Sequence, residues 1–150
     1  MVHLLKLLPS HISRYWDTIG YAIQNASMAG FIPDERYLLD MLAKILSGQV
    51  QCWSGVKETD KGLKVGAFIF TSIIKDELQG EKNLLLIGVF VFDFEGFEFW
   101  REGFKSLAKY AAANKCQNIV FYTDVPKLVE IAGKCGSLQT YTFGKFKIPK

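Results

Sequence analysis

Apolar residues recur along the chain with two different spacings, and the spacing changes from segment to segment. An apolar residue at every third or fourth position is typical of a helix with one buried face. Alternation, or a short unbroken apolar run, is typical of a strand. The predicted strands cover 3–8, 49–56, 63–74, 84–93, 118–122 and 138–148. The predicted helices cover 10–26, 33–48, 98–114 and 125–134.

The longest apolar run, 84–92, is followed at once by a short loop and then by an amphipathic helix. A run of this length is too short to cross a bilayer and suits a buried strand. A strand that enters a helix through a short loop is a common ligand position in α/β proteins, because the free amides at a helix start attract anions. The loop residues 95–100 are therefore the candidate functional site.

The order of the predicted elements is β-α-α-β-β-β-α-β-α-β. The three middle strands are joined by polar turns, which predicts an antiparallel meander. The segments 84–93, 98–114 and 118–122 form a β-α-β unit, so the last strand of this unit should lie parallel to the first. The sequence therefore predicts an α/β (α+β) fold, a mixed sheet flanked by helices, in a single domain over residues 1–150.

Composition and charge narrow the function classes. Hydrophobic residues make up 49% of the 150 residues and charged residues 22%, which argues against disorder. The net charge is +3 and the basic residues are scattered, so we expect no nucleic-acid partner. The three cysteines lie far apart and both histidines precede residue 12, so we expect neither a disulfide framework nor a metal site.

The order of elements resembles the GNAT superfamily, the acetyl-CoA-dependent N-acetyltransferases, over nearly the whole chain. In that family, a loop of the form Arg/Gln-x-x-Gly-x-Gly/Ala lies between the fourth strand and the third helix. Its amides hold the pyrophosphate of coenzyme A, and its glycines let the phosphate come close. The resemblance places this loop on residues 95–100, and it implies acetyl-CoA as the cofactor and N-acetyl transfer as the reaction.

The loop of this chain departs from the family pattern at most of its positions. The leading basic or amide residue falls on Glu95, Gly96 matches a glycine often found beside it, and the next two small positions fall on Glu98 and Trp100. Two carboxylates repel a pyrophosphate. We expect Trp100 to plug the cleft between the two parallel strands or to leave it to a different ligand. These four residues are the candidate cofactor-binding positions, and we predict that they do not bind coenzyme A in the usual way.

The second motif of the family, Asn-x-x-Ala-x-x-x-Tyr-x-Lys-x-Gly-Phe, is matched only at Lys134 and Gly136. Its tyrosine commonly serves as the general acid for the leaving thiolate, and that position is Ala132 here. No catalytic residue is therefore assigned. The two loop acids, Glu95 and Glu98, suit either a paired-carboxylate site or a general base, or else the stabilisation of the helix N-terminus, which we favour.

These departures favour a catalytically degenerate acyltransferase-like fold that serves as a binding or structural module, with no cofactor expected. One alternative is an active N-acetyltransferase that uses acetyl-CoA through an atypical loop. Another is a protein-interaction module that forms a homo-oligomer through strand edges or through Phe97 and Phe99. Alternation places Phe90, Phe92 and Phe94 on one core face, which leaves the two loop aromatics as contacts for a protein partner.

The strand entry Gly-Gln-Val-Gln-Cys-Trp at 48–53 is also similar, weakly, to small GNAT-like proteins of bacteriophages and prophages. This resemblance implies a phage-encoded protein in the cytoplasm of the host cell or associated with the virion. The opening residues are broken by Lys6 and Pro9 and lack the apolar core of a secretory signal. We therefore expect a cytoplasmic location and no membrane contact.

Overall fold

A computed structural model describes residues 2–26, 33–94 and 96–150. The strands are β1 (Val2–Lys6), β2 (Gln51–Thr59), β3 (Gly62–Lys75), β4 (Lys82–Val91) and β5 (Asn118–Phe121). The helices are α1 (Pro9–Arg14), α2 (Trp16–Asn25), α3 (Glu35–Ser47), α4 (Glu98–Ala113) and α5 (Pro126–Cys135). No helix within these described ranges is long and apolar enough to span a membrane.

The strands form one five-stranded sheet in the order β1-β2-β3-β4-β5. Neighbouring strands are antiparallel from β1 to β4, as the polar turns predict. The last pair, β4 and β5, is parallel, with Asn83 opposite Asn118 and Leu86 opposite Phe121. The predicted mixed sheet flanked by helices is therefore confirmed.

Helices cover both faces of the sheet, and each face has its own core. Helices α1, α2 and α3 cover one face, where Phe68 and Phe70 of β3 are buried. Helix α4 covers the other face through three buried side chains, Phe99, Leu107 and Ala111, which pack with Ile69. The alternation of β3 between the two cores explains why its apolar run is nearly continuous in sequence.

Two strands each carry one extra residue. In β3, Gly55 of β2 pairs with Ala67 and the next residue of β2 pairs with Val65, so Gly66 is left over. In β4, Phe70 pairs with Gly88 and Thr71 pairs with Leu86, so Ile87 is left over. Such β-bulges bend a strand and increase its local twist.

The first long helix of the prediction is interrupted. Tyr15 leaves the helical conformation at φ −111° and ψ 23°, so residues 10–26 are divided between α1 and α2. The Tyr15 N–H still donates to the His11 carbonyl at 3.0 Å, and the Ile19 N–H donates to the Tyr15 carbonyl at 3.0 Å. Because hydrogen bonding continues through Tyr15, the interruption is a kink that keeps the apolar face on one side.

The prediction of a last strand over 138–148 is wrong, because residues 137–150 form neither helix nor strand. A strand exists only when its backbone pairs with a neighbour, and alternating side chains do not supply that neighbour. Four aromatic or aliphatic side chains of this segment are largely exposed. They are Tyr141, Phe143, Phe146 and Ile148.

The prediction that Phe90, Phe92 and Phe94 share one core face is also wrong. Phe90 packs against the core under α1–α3, Phe92 is about half exposed, and Phe94 joins the core under α4. The strand ends at Val91, and alternation ends with it. Beyond that point, the N–H groups of Phe92 and Asp93 both donate to the Gly66 carbonyl, at 2.9 and 3.1 Å.

Candidate functional site

Strands β4 and β5 separate at the bulge in β4. Their pairing ends at Leu86, directly before the unpaired Ile87. Residues 88–91 continue along β3 but have no strand beside them on the β5 side, among the described parts of the chain. Alternate backbone N–H and C=O groups of this stretch therefore face away from β3 without a ladder partner, which is a binding edge for another extended molecule.

An apolar groove lies between α4, α5 and the sheet, next to this open edge. Its volume is about 480 Å³. The sheet contributes its floor and the two helices its walls. Residues lining the groove include Leu86, Val89, Trp100, Ile119, Phe121 and Leu128. A cavity of this size with apolar walls suits the apolar part of a small-molecule ligand.

The N-terminus of α4 follows the same stretch of β4. The residue before the helix is Phe97, which has no side-chain group able to cap, and the first helical hydrogen bond runs from the Arg101 N–H to its carbonyl at 3.0 Å. Within the described residues, the amides of Glu98, Phe99 and Trp100 donate to no acceptor. Free amides at the positive end of the helix dipole are a binding position for an anion.

The loop residues singled out in the sequence lie in different places. Glu95 lies outside the described residues. Gly96 is exposed and has φ +80°, with open space where a side chain would begin. Glu98 is exposed and lines a separate cavity between β1 and α4, not the groove. The Glu98 side chain makes no hydrogen bond within the described residues, so no such bond stabilises the helix N-terminus in the way the sequence predicted.

Trp100 lines the groove and forms part of its wall. Its ring meets Phe99 edge-on, with the centroids 5.4 Å apart. The groove keeps about 480 Å³ with this side chain in place, so Trp100 narrows the cleft without filling it.

The expectation that Phe99 contacts a partner is wrong. Phe99 is only 2% exposed and stacks on Phe94, with the ring centroids 4.9 Å apart. The two rings pack over Gly55, where even a methyl group would meet Phe99 at 2.8 Å. The first turn of α4 thus faces the core, and Phe97, which is half-buried, is the remaining loop aromatic for a contact with a partner.

The groove offers few groups for proton transfer. Its lining contains no Asp, Glu, His, Lys, Arg or Tyr among the described residues, and its titratable side chains are Cys116 and Cys135. Burial raises the pKa of the Cys135 thiol. Elsewhere, burial in the core raises the pKa of Cys52 to about 12, so that thiol stays protonated and unreactive at neutral pH.

Sequence reasoning found the strand, the loop and the helix of this site but missed the open edge. The edge depends on the bulge at Ile87 and on the shortness of β5, which has four residues. The available signal was Gly88, an isolated glycine inside an apolar run, which is typical of a bulge or a close backbone approach.

The chain is similar over its full length to solved structures of acetyltransferases. One is AAC(6')-Iy in complex with the bisubstrate analog CoA-S-monomethyl-acetylneamine, with a TM-score of 0.73, 15% identity, and 99% of each chain covered. Another is a ribosomal-protein-alanine N-acetyltransferase from Brucella melitensis biovar Abortus 2308, with a TM-score of 0.68, 12% identity, and 98% and 99% covered.

A third similar structure is glucosamine-6-phosphate N-acetyltransferase from Arabidopsis thaliana, with a TM-score of 0.63, 18% identity, and 97% and 98% of the two chains covered. No protein-family model matches the sequence, and no curated protein sequence matches it either. The likeness therefore lies in the fold: this chain has the mixed α+β fold of the GNAT acetyltransferases.

Proposed function

We propose that the protein is an N-acyltransferase that binds an acyl-coenzyme A thioester along the open edge of β4. The carrying observation is the continuity of three features in the described part of the chain: the backbone of residues 88–91 without a partner on the β5 side, the apolar groove beside it, and the start of α4 without a side-chain cap. Acyl-coenzyme A has an arm with amide groups, an apolar carbon chain and a pyrophosphate, and each of these parts matches one of the three features.

The backbone and side-chain groups around the groove fit the parts of acyl-coenzyme A. The backbone of residues 88–91 can bond the amides of the pantetheine arm, and Val89 and Trp100 can flank its carbon chain. The N–H groups of residues 98–100 can donate hydrogen bonds to the pyrophosphate oxygens. The bound thioester would supply an acyl group activated for transfer to an amine. The exposed Glu98 carboxylate weakens anion binding there, by an amount that solvent screening keeps small.

The structural neighbours support this choice over other ligands. AAC(6')-Iy holds a coenzyme A-derived bisubstrate analog, and the Arabidopsis neighbour is an N-acetyltransferase for glucosamine 6-phosphate. Both share the sheet and helix arrangement of this chain at low sequence identity, so they support the cofactor class and leave the acceptor amine open.

Binding is tested by thermal unfolding with millimolar acetyl-CoA. A ligand that binds only the native state at about 100 times its Kd stabilises it by about 2.7 kcal/mol, so we expect a rise in Tm of several degrees. Filling the groove with Gly103→Leu should abolish this rise, because Gly103 lines the groove with open space where a side chain would begin.

Gly133→Leu is the matched control. Gly133 also lies within a helix with open space around it, but it does not line the groove. This variant should keep the rise in Tm. If acetyl-CoA leaves the Tm of the unaltered protein unchanged, the proposed cofactor site is wrong.

The second candidate is a binding module that retains the cofactor site without turnover. It is favoured by the absence of acids, bases and tyrosines from the described lining of the groove. The release of free thiol from acetyl-CoA, measured with a panel of amines, separates the two: a rise in Tm with release indicates an enzyme, and a rise without release indicates a binding module. A phage origin and a place in the host cytoplasm or the virion stay predictions from the sequence.

A further inference from the structure

The cavity between β1 and α4 is lined by the free edge of a strand. Strand β1 pairs with β2 alone, so it lies at one end of the sheet. Four consecutive residues of β1, at positions 2–5, line the cavity, whose volume is about 700 Å³. Consecutive residues of a strand have side chains on opposite faces, so what all four share with the cavity is the backbone of this edge.

The hydrogen bonds of β1 determine which backbone groups this edge offers. The Leu7 N–H donates to the Cys52 carbonyl at 2.9 Å, in register with the pairing of β1 and β2. Bonded and non-bonded pairs alternate in an antiparallel ladder, so the N–H and C=O groups of Leu4 and Lys6 face away from β2. These groups have no hydrogen-bond partner among the described residues, so they can pair with an added strand.

Helix α4 places a row of basic side chains beside the same edge. Arg101, Lys105 and Lys109 are exposed and line the cavity, and each lies four residues from the next; we call them the basic row. Because α4 returns from the end of β4 to the start of β5, it runs in the same direction as β1. Four helical residues span about 6.0 Å and two strand residues about 6.8 Å. Alternate side chains of a strand added to β1 therefore have nearly the same spacing as the basic row.

Only part of the positive charge of the basic row is neutralised within the chain. Glu102 Oε1 lies 3.5 Å from both Arg101 Nε and Lys105 Nζ, so one carboxylate is shared between two cations. Lys109 makes no ion pair within the described residues. Glu98, at the start of α4, lowers the positive potential at the other end of the row. The positive charge is therefore greatest near Lys105 and Lys109.

Charge disfavours a second copy of this chain as the occupant of the edge. Lys6, whose Nζ is 5.4 Å from the centroid of the Tyr110 ring, adds a positive charge at the Lys109 end of the row. Pairing two β1 edges would bring these like charges of both copies together, which is unfavourable. The C-terminal segment of another copy carries Lys145 and Lys147 at alternate positions, where acids are needed. The chemistry of the edge therefore fits an extended acidic segment of a different protein.

We propose that the β1 edge binds an extended acidic segment of a partner protein as an added strand. The backbone of this segment pairs with the outward-facing groups of Leu4 and Lys6, and its Asp or Glu side chains at alternate positions lie against Lys105 and Lys109. The side chains between the acids face the other side of the sheet, where apolar ones cover Leu5, which is 45% exposed. Backbone pairing supplies affinity, and the alternation of acids supplies specificity.

The first test is fluorescence anisotropy of the full chain with two labelled peptides of identical composition. In Gly-Ser-Glu-Val-Glu-Val-Glu-Ser-Gly the acids alternate, and in Gly-Ser-Val-Glu-Glu-Glu-Val-Ser-Gly they are contiguous. The alternating peptide should bind about tenfold more tightly, because only alternation places all its carboxylates on the face of the basic row. The proposal would be overturned if the alternating peptide did not bind, or if the contiguous peptide or an oligonucleotide of the same charge bound equally well.

The second test reverses one charge of the basic row. Lys109→Glu changes an exposed side chain without an ion pair in the described structure, so circular dichroism should show an unchanged fold. The Kd of the alternating peptide should rise by about tenfold. Arg36→Glu, on the exposed surface of α3, changes the net charge equally and should leave the Kd within about twofold. An equal rise in both variants, or no rise in Lys109→Glu, would contradict binding at the basic row.

The third test concerns the pairing of the two backbones. Only alternate N–H groups of an added strand face β1, so the glutamate nitrogens and the valine nitrogens of the alternating peptide differ in role. Methylating one of these two sets should abolish binding, and methylating the other should change the Kd little. If binding survives methylation of either set, side chains alone hold the peptide and the proposed strand addition is wrong.

Discussion

At the scale of single residues, a buried polar chain links β2, β3 and the end of α3. The indole N–H of Trp53 donates to Thr71 Oγ1 at 2.9 Å, and the Thr71 hydroxyl donates to Gln51 Oε1 at 2.9 Å. The Gln51 amide then donates to the Gly48 carbonyl at 3.2 Å. No buried side-chain polar atom within the described residues lacks a partner, so this chain of bonds is fully satisfied.

Thr71→Val should break this chain at its centre. Valine has nearly the shape of threonine, but it leaves the buried Trp53 N–H and Gln51 Oε1 without partners. A buried unpaired group costs about 1–3 kcal/mol, so we expect a loss of that order in the free energy of unfolding, measured in urea. Thr71→Ser keeps the hydroxyl and should lose less. An equal loss in both variants would indicate that the methyl group, and not the hydrogen bonds, is responsible.

At the scale of elements, the parts that depend on neighbouring residues were predictable. Helix α3 begins as its sequence indicates, with Asp34 accepting from the Tyr37 N–H at 2.9 Å, and it ends at Gly48 with φ +85°. Alternation predicted a strand over 138–148 that does not form, because a strand needs a pairing partner and that partner is a property of the whole sheet. The kink at Tyr15 and the bulge at Ile87 likewise depend on packing between distant segments.

Two glycine substitutions should change stability in opposite directions. Gly48→Ala places a side chain at φ +85°, which L-residues avoid, and should lower the free energy of unfolding by about 1 kcal/mol. Gly133→Ala lies inside α5 with open space around it and should raise that energy by up to about 1 kcal/mol. Urea midpoints measure both changes. A loss in both variants would contradict the assignment of Gly133 to a regular helix interior.

At the scale of the whole molecule, the sequence predicted the strand, loop and helix that surround the candidate site, but not the open edge or the groove. The unit of strand, loop and helix over 84–114 was predictable from hydrophobic spacing. The open edge of β4 was not, because it exists only where β5 stops and a bulge turns β4 aside. The same long-range geometry places α5 across from α4 and so creates the groove.

Backbone protection should follow the position of each strand in the sheet. Strand β3 is paired on both sides and lies between the two cores, so its amides should exchange with solvent only on global unfolding. Amides of the edge strands should exchange sooner, and those of residues 137–150, which belong to no helix or strand, soonest. Native-state hydrogen exchange measures this order, and slower exchange in β1 than in β3 would contradict it.

The extra residue at Ile87 changes which alternate residues of β4 face the core under α4. Before it, Leu84 and Leu86 face the core under α4, and after it Val89 and Val91 do so. The side chains on this face are thus even-numbered before the bulge and odd-numbered after it, within a single strand. The open edge and the change in alternation have the same cause. The bulge at Ile87, where pairing with β5 ends, also determines which side chains of the second half of β4 are buried. An insertion or deletion of one residue in β4 would therefore exchange the buried and outward-facing side chains of the part that follows it, whereas a change of two residues would preserve them.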